Sequence, residues 1–269
     1  MPSLAVVGSA NLDLVARVER LPRPGETVTD AELARVPGGK GANQAVAAAR
    51  LGAETSFYGC VGADDFAEEA LSGLREAGVE LQLDRGDQTG IALIIVDSTG
   101  ENQIVVVPGA NAELEPVRLG GNVLCQLEIP VSVVSAAAES ADFFCLNAAP
   151  AKPVPEELIE LADLVVVNRY ELEALPRRPR LVALTLGKDG AVLLDGGEEV
   201  ARAEPPPVKA VDGTAAGDAF TACLVVSHLE GLNWDEALRR ACAAGAIAAS
   251  RPGAQPSLPA AEEVDEILA

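Results

Sequence analysis

The chain has 269 residues, with 41 Asp+Glu against 20 Lys+Arg, a formal charge of −21 and one histidine, His228. That excess of negative charge speaks against nucleic acid or anionic membrane as a partner, because phosphates repel such a surface. A lone histidine excludes serine–histidine triads and multi-histidine metal sites, so any chemistry rests on carboxylates, amides, hydroxyls, lysine and backbone N–H groups.

In chain order, apolar runs alternate with helical patterns. LAVVG at 4–8 reads as a strand, and 14–36 as an alternating, strand-like stretch. A helix over 42–51 stops at Gly52, a strand covers 55–60, and a helix over 65–77 stops at Gly78; glycine is a good helix terminator. The alternation of Ile91, Leu93 and Ile95, then Ile104 and Val106, around the turn Asp97–Gly100 predicts a hairpin over 89–107. Strands follow at 122–127, 142–146, 163–167, 181–185 and 191–195, with helices at 131–140, 156–161 and 169–175. A stiff Glu204-Pro-Pro-Pro207 connector leads to helices over 216–230 and 234–250. Most strands are short and rich in Val, Leu and Ile without alternation, as strands buried on both faces of a parallel sheet are.

The expected fold is α/β, a doubly wound, mostly parallel, Rossmann-like sheet in a single domain over 1–269. The strand pairs at about 14–36 and 89–107 are expected to form a small β-sheet lid over the carboxyl ends of the parallel strands, where ligands bind in such sheets. Cys60, Cys125, Cys145, Cys223 and Cys242 lie in apolar runs with no C-x-x-C pair. They read as buried free thiols of a reducing compartment. The chain opens directly on a strand, and no uncharged apolar window reaches bilayer length, so a cytoplasmic location is expected.

Five segments carry candidate chemistry. Val211-Asp-Gly-Thr-Ala-Ala-Gly-Asp218 opens an apolar helix, where small residues leave helix-terminal N–H groups open to a phosphate. Asp218 in the first turn can accept a proton from a hydroxyl, or can simply be an aspartate favoured by the helix dipole. Gly38-Gly39-Lys40-Gly41-Ala42-Asn43 opens helix 42–51. It is neither a Walker A loop nor GxGxxG, and it fits either close approach of a polar ligand or a plain turn. Asn11-Leu12-Asp13 is expected in a loop after strand 4–8, as hydroxyl-binding residues or as an Asx turn. Asn168-Arg-Tyr-Glu171 has the spacing of a helix cap, and its oxygens also suit Mg²⁺ held through water. Thr185-Leu-Gly-Lys-Asp-Gly190 reads as a hairpin turn, or as a segment lying along a nucleotide.

Together and in this order the segments resemble the ribokinase-like (PfkB-type) carbohydrate kinases over residues 4–267. GGKGANQA at 38–45, PGAN at 108–111, AAGDAF at 215–220 and GAQPS at 253–257 are the most specific parts. The resemblance implies that Asp218 is the catalytic base and that the amides of Ala215, Ala216 and Gly217 bind the transferring phosphoryl group. It implies sugar contacts at Asn11, Asp13, Gly39, Lys40, Gly41, Asn43 and Glu128. It implies ATP contacts at Asn168, Thr185, Gly187, Lys188, Gly190, Gly217 and Cys242, with Asn168 and Glu171 holding Mg²⁺ through water. A monovalent cation, K⁺, is implied at Asp212, Thr214, Ala248, Arg251, Gly253 and Ser257, and a homodimer through the lid. Cys242 stands where the family often has His or Asn, Gly213 replaces a more usual Thr, and segments 112–125 and 172–181 are short against the family pattern.

The acceptor is narrowed by what is missing. Lid hairpin 89–107 has no aromatic residue for a nucleobase, and 86–111 has no Lys or Arg for an existing phosphate. A small neutral sugar remains, with D-ribose expected first. The alternatives are 2-deoxyribose, another sugar or a nucleoside, or a silent binding protein on the same fold.

Overall fold

The computed structural model describes all 269 residues. The chain begins with β1 (Ser3–Val7), departs through β2 (Asn11–Arg17) and β3 (Glu32–Gly38), and returns by α1 (Lys40–Arg50) to β4 (Glu54–Gly62). Helix α2 (Phe66–Glu76) leads to β5 (Glu80–Gly86), and a second departure makes β6 (Gly90–Val96) and β7 (Asn102–Val107). Then β8 (Asn122–Cys125), α3 (Val131–Ala138), β9 (Phe143–Asn147), α4 (Glu156–Leu161), β10 (Leu164–Val167), α5 (Arg169–Ala174) and β11 (Leu181–Thr185) alternate. Strands β12 (Ala191–Asp195) and β13 (Glu198–Ala203) precede α6 (Ala216–Leu229), α7 (Trp234–Ala249) and α8 (Ala261–Leu268).

Nine strands form one sheet in the order β13-β12-β11-β10-β9-β8-β1-β4-β5. Pairing is parallel from β5 to β11, and β12 and β13 join antiparallel at one edge. The unbroken apolar strands have a simple cause. Val166 points to a core built with α1, α6 and α7, whereas Val165 and Val167 point to a second core built with α3 and α4. Burial on both faces removes the polar alternation.

Strands β3-β2-β6-β7 form the separate four-stranded sheet expected as a lid. Residues 18–31 are turn and irregular chain, so the alternating stretch over 14–36 resolves into two strands with a loop between them. Asn11, Leu12 and Asp13 are not in a loop: they begin β2, and Asp13 stands opposite Val36 on β3 and Ala92 on β6. The expectation failed because Asn and Asp favour turns locally, while ladder bonds on both sides decided the conformation. Three further elements lay outside the sequence reading: β5, β13 and α8. No helix is long and apolar enough to cross a membrane.

Candidate active site

The site begins where β1 ends. Helix α1 sits directly on Gly8: a Cβ on Gly41 would lie 2.6 Å from the Gly8 Cα and from the Ser9 nitrogen. The φ of +89° at Gly39 makes the turn into the helix, and the Ala42 N–H donates to Ser9 O at 2.8 Å. This close seat delivers Lys40, Asn43 and Gln44 to the carboxyl ends of the central strands.

Asp218, in the first turn of α6, meets them there with only 4 % of its surface exposed. Its Oδ2 accepts from Asn43 Nδ2 and its Oδ1 from Gln44 Nε2, both at 2.9 Å. Burial pushes the Asp218 carboxyl above its ordinary value, against the Lys40 ammonium and the two amide donors. Lys40 is held above its usual value chiefly by the Asp218 charge. Glu128 accepts from Ser9 Oγ at 2.5 Å and from the Lys40 N–H at 2.9 Å. Asp13 is buried beside this group, and its carboxyl is raised to about 7 by burial first, then by Glu128 and Asp218. No Cβ fits at Gly38, where the Asp13 carboxylate would lie 2.3 Å away. Asn11 is held by Asn111 Nδ2, which donates to its Oδ1 at 2.7 Å. Asn43 Oδ1 is buried without a partner, an acceptor free to take a hydroxyl hydrogen. The expected sugar residues therefore gather in one largely buried polar cluster, to which β2 contributes Asn11 and Asp13.

The other side of α6 opens on a cleft of about 510 Å³. Thr185, Gly187, Lys188, Gly190, Gly217 and Cys242 line it, as expected of nucleotide-side residues, together with Ala216. Phe220 and Pro205–Pro207 also form its wall. Asn168 is not among the lining residues. It caps α5 in a mutual pair with Glu171: Glu171 N–H donates to Asn168 Oδ1 at 2.9 Å, and Asn168 N–H to Glu171 Oε2 at 2.7 Å. Burial raises the Glu171 carboxyl, and Lys40 draws it down. The Cys242 thiol points to Ala203 O at 3.6 Å and is pushed up to about 12 by burial, so it stays protonated.

Between the polar cluster and the cleft, the three amides expected to hold a phosphoryl group are not equivalent. The Ala216 N–H donates to Gly213 O at 3.2 Å, whereas those of Ala215 and Gly217 find no partner in the chain. The space in front is clear: a Cβ at Gly213 or Gly217 would meet nothing within 4 Å. Two free N–H groups at a helix start suit an anion.

The expected cation residues lie in two segments that are tied together. Asp212 Oδ2 accepts from the Gly253 N–H at 2.9 Å, and its Oδ1 accepts from the Thr214 N–H at 3.0 Å and from the Thr214 hydroxyl. Burial raises the Asp212 carboxyl, but these hydrogen bonds outweigh it and hold the group below its usual range. The Val211 and Asp212 amides both donate to Ala249 O. The Arg251 guanidinium turns away to Glu263, the Ala248 carbonyl accepts from the Arg251 N–H, and Ser257 Oγ donates to Ala254 O.

Five polar residues of the site were not singled out from the sequence: Ser9 and the amides Gln44, Asn111, Gln126 and Asn147. All are buried; Gln126 interrupts the apolar run VLCQL and Gln44 stands directly before the run AVAAA, which was the available signal.

Known proteins share the fold. A family model described as pfkB family carbohydrate kinase matches residues 1–261. Ribokinase of Bacillus subtilis is 37% identical over the full length of both chains. Among solved structures, ribokinase from Thermotoga maritima superposes with a TM-score of 0.89 at 34% identity, covering 100% of this chain and 99% of its own. Arabidopsis thaliana ribokinase complexed with ribose and ATP gives 0.87 at 32% identity, covering 99% and 98%.

Proposed function

Because the chain belongs to the pfkB family of carbohydrate kinases, we propose that it transfers the γ-phosphate of ATP to the primary hydroxyl of D-ribose, giving ribose 5-phosphate. One observation carries the reading: Asp218 and the free Ala215 and Gly217 amides share one helix start, set between a buried polar cluster and an open cleft. Phosphoryl transfer needs positioning and charge stabilisation more than covalent help, so this set suffices without histidine. The sugar binds beneath β2, with Asn11, Asp13 and Asn43 reading its hydroxyls. Asp218 takes the proton of the attacking hydroxyl, and the two amides hold the phosphoryl oxygens. ATP enters the cleft along Thr185–Gly190. Ribose as acceptor is supported by the relatives named ribokinase and by the pocket's hydroxyl-binding amides and carboxylates. A panel of sugars and nucleosides ranked by kcat/KM tests it: ribose is expected first, and a nucleoside first overturns it.

Two cations complete the reading. Glu171 has one oxygen engaged by its own cap, which suits Mg²⁺ held through water beside the phosphates, where it would neutralise charge. The carbonyl and hydroxyl oxygens around Asp212, Thr214, Ala248, Arg251, Gly253 and Ser257 suit K⁺, with Arg251 offering its backbone only. Residues 1–269 act as one kinase domain with its lid, in the cytoplasm, in keeping with five unpaired cysteines.

Asp13 sets a pH dependence. Its carboxyl lies at about 7 without ligand, and the ionised form is the one that accepts two hydroxyl hydrogens. The KM for ribose is therefore expected to be flat above pH 8 and to climb as pH falls below 7, approaching about tenfold per unit. Initial rates across pH, with Asp13→Asn as the control, check this. A variant with raised KM and no such slope is expected, and a parent enzyme with a flat KM from pH 5 to 8 contradicts it.

The lid also argues for a dimer. Leu33, Leu93, Ile104, Val105, Val106 and Val107 are exposed apolar side chains on one small sheet, and β7 is an open edge. Exposed apolar side chains on both faces of β7, together with its open edge, invite a second lid. Light scattering at micromolar concentration is expected to give a dimer, and the double substitution Ile104→Lys, Val105→Lys a monomer. A monomeric parent protein rules the pairing out.

A further inference from the structure

Gln44 has no exposed surface, so it touches neither sugar nor nucleotide. Its amide is nonetheless committed in every direction. Nε2 donates to Asp218 Oδ1 and to Asn147 Oδ1, each at 2.9 Å, which uses both of its hydrogens. Oε1 accepts from Gln126 Nε2 at 2.6 Å. The orientation of this chain of amides is anchored at one backbone atom. The Val166 carbonyl can only accept, and it accepts from Asn147 Nδ2 at 3.1 Å. That turns Asn147 Oδ1 towards Gln44, which turns Nε2 towards Asn147 and Asp218, which leaves Oε1 for Gln126. Reversing the Gln44 amide would set its oxygen against two oxygens and its NH₂ against another NH₂.

We infer that Gln44 is a positioning residue, holding one oxygen of the Asp218 carboxylate while Asn147 and Gln126 fix which way its own amide stands. Asn43 differs: it holds the second oxygen but keeps a free Oδ1 for the acceptor. The inference rests on the reading of Asp218 as the base. A base held at both oxygens takes its proton without a search through rotamers, and a carboxylate that accepts a hydrogen bond ionises more readily. The other charged groups facing Asp218 are Lys40 on α1, Glu128 after β8, Asp13 on β2 and Glu171 on α5. Replacing Gln44 leaves all four in place.

Gln44→Met keeps the length and loses all three hydrogen bonds. Its kcat is expected to fall about ten- to a hundredfold, with KM for sugar and ATP within about threefold and the acid limb of the kcat–pH profile moved to higher pH. A kcat within twofold of the parent, or a lower kcat on an unmoved pH profile, overturns the inference. If circular dichroism shows that this variant does not fold, Gln126→Met decides, because it removes only the lock on the Gln44 amide. A smaller loss of kcat with the same direction of pH shift is expected there, and unchanged kcat and profile overturn the inference. Asp218→Asn is assayed alongside: full activity in it removes the base itself, whereas an inactive Asp218→Asn beside a fully active Gln44→Met removes the positioning role alone.

Discussion

Asp218→Asn is expected to lower kcat by about 10²- to 10⁴-fold, the usual worth of a positioned general base, or about 3–5 kcal/mol of transition-state stabilisation. The change preserves shape, so the loss isolates the proton acceptor. It also alters the hydrogen-bonding set. Both carboxylate oxygens accept from amide NH₂ groups, Asn43 and Gln44, and an asparagine offers one oxygen where two are needed. One donor is left facing another. Against that, the variant removes a charge that burial disfavours. The two effects oppose each other, so a small shift in Tm is expected, and ATP binding by calorimetry should be retained because the cleft is lined from the other side of α6. A fully active variant removes the base assignment. A variant that loses ATP binding in step with kcat would mean that the anion site, not the base, had been damaged.

Much of this was legible in the chain, and the illegible parts share a physical cause. Strands β8 to β11 are buried on two faces and announce themselves as apolar runs, as at Leu164–Val167. Strands β5 and β13 lie at the two edges of the same sheet. Their sequences, ELQLDRG and EEVARA, carry charges on the uncovered face, so neither reads as a run. Helix α8 does carry a helical spacing, Val264, Ile267 and Leu268, but over only eight residues, of which Val264 alone is buried. The same contrast holds in the site. Asp218, Lys40 and Asn43 stand in short segments with recognisable spacing. Gln44 lies on α1, Gln126 just after β8 and Asn147 at the end of β9, separated by up to 103 residues, and they meet only once β8 pairs with β9 and α1 packs over the strand ends. The three amides at the start of α6 show the limit in another form. Composition made them all small and open, but whether each N–H is free depends on a carbonyl at Gly213.

Gly41→Ala should damage both stability and rate. In an ordinary helix interior the change favours folding by about 1 kcal/mol. Here the new Cβ would lie 2.6 Å from the Gly8 Cα, the Gly8 carbonyl carbon and the Ser9 nitrogen, all backbone atoms. No rotamer relieves that overlap. Val7, one residue earlier, is paired with β4 on one side and β8 on the other, so the end of β1 cannot yield. Helix α1 must move instead, and the overlap asks for about 1 Å. The cost in stability is expected to be about 1–3 kcal/mol, or roughly 2–9 °C in Tm for a domain of this size. The cost in rate is larger, because α1 carries Lys40, Asn43 and Gln44. A shift of that order stretches both 2.9 Å bonds to Asp218 beyond hydrogen-bonding range. A displacement of about 1 Å typically costs about 10²-fold in rate. Gly120→Ala serves as the control, since a Cβ there meets nothing within 4 Å. Thermal melts and kcat of the two variants separate the cases. If Gly41→Ala melts and turns over like the parent, then α1 does not rest on the end of β1, and the route by which this sequence builds its catalytic pocket is wrong.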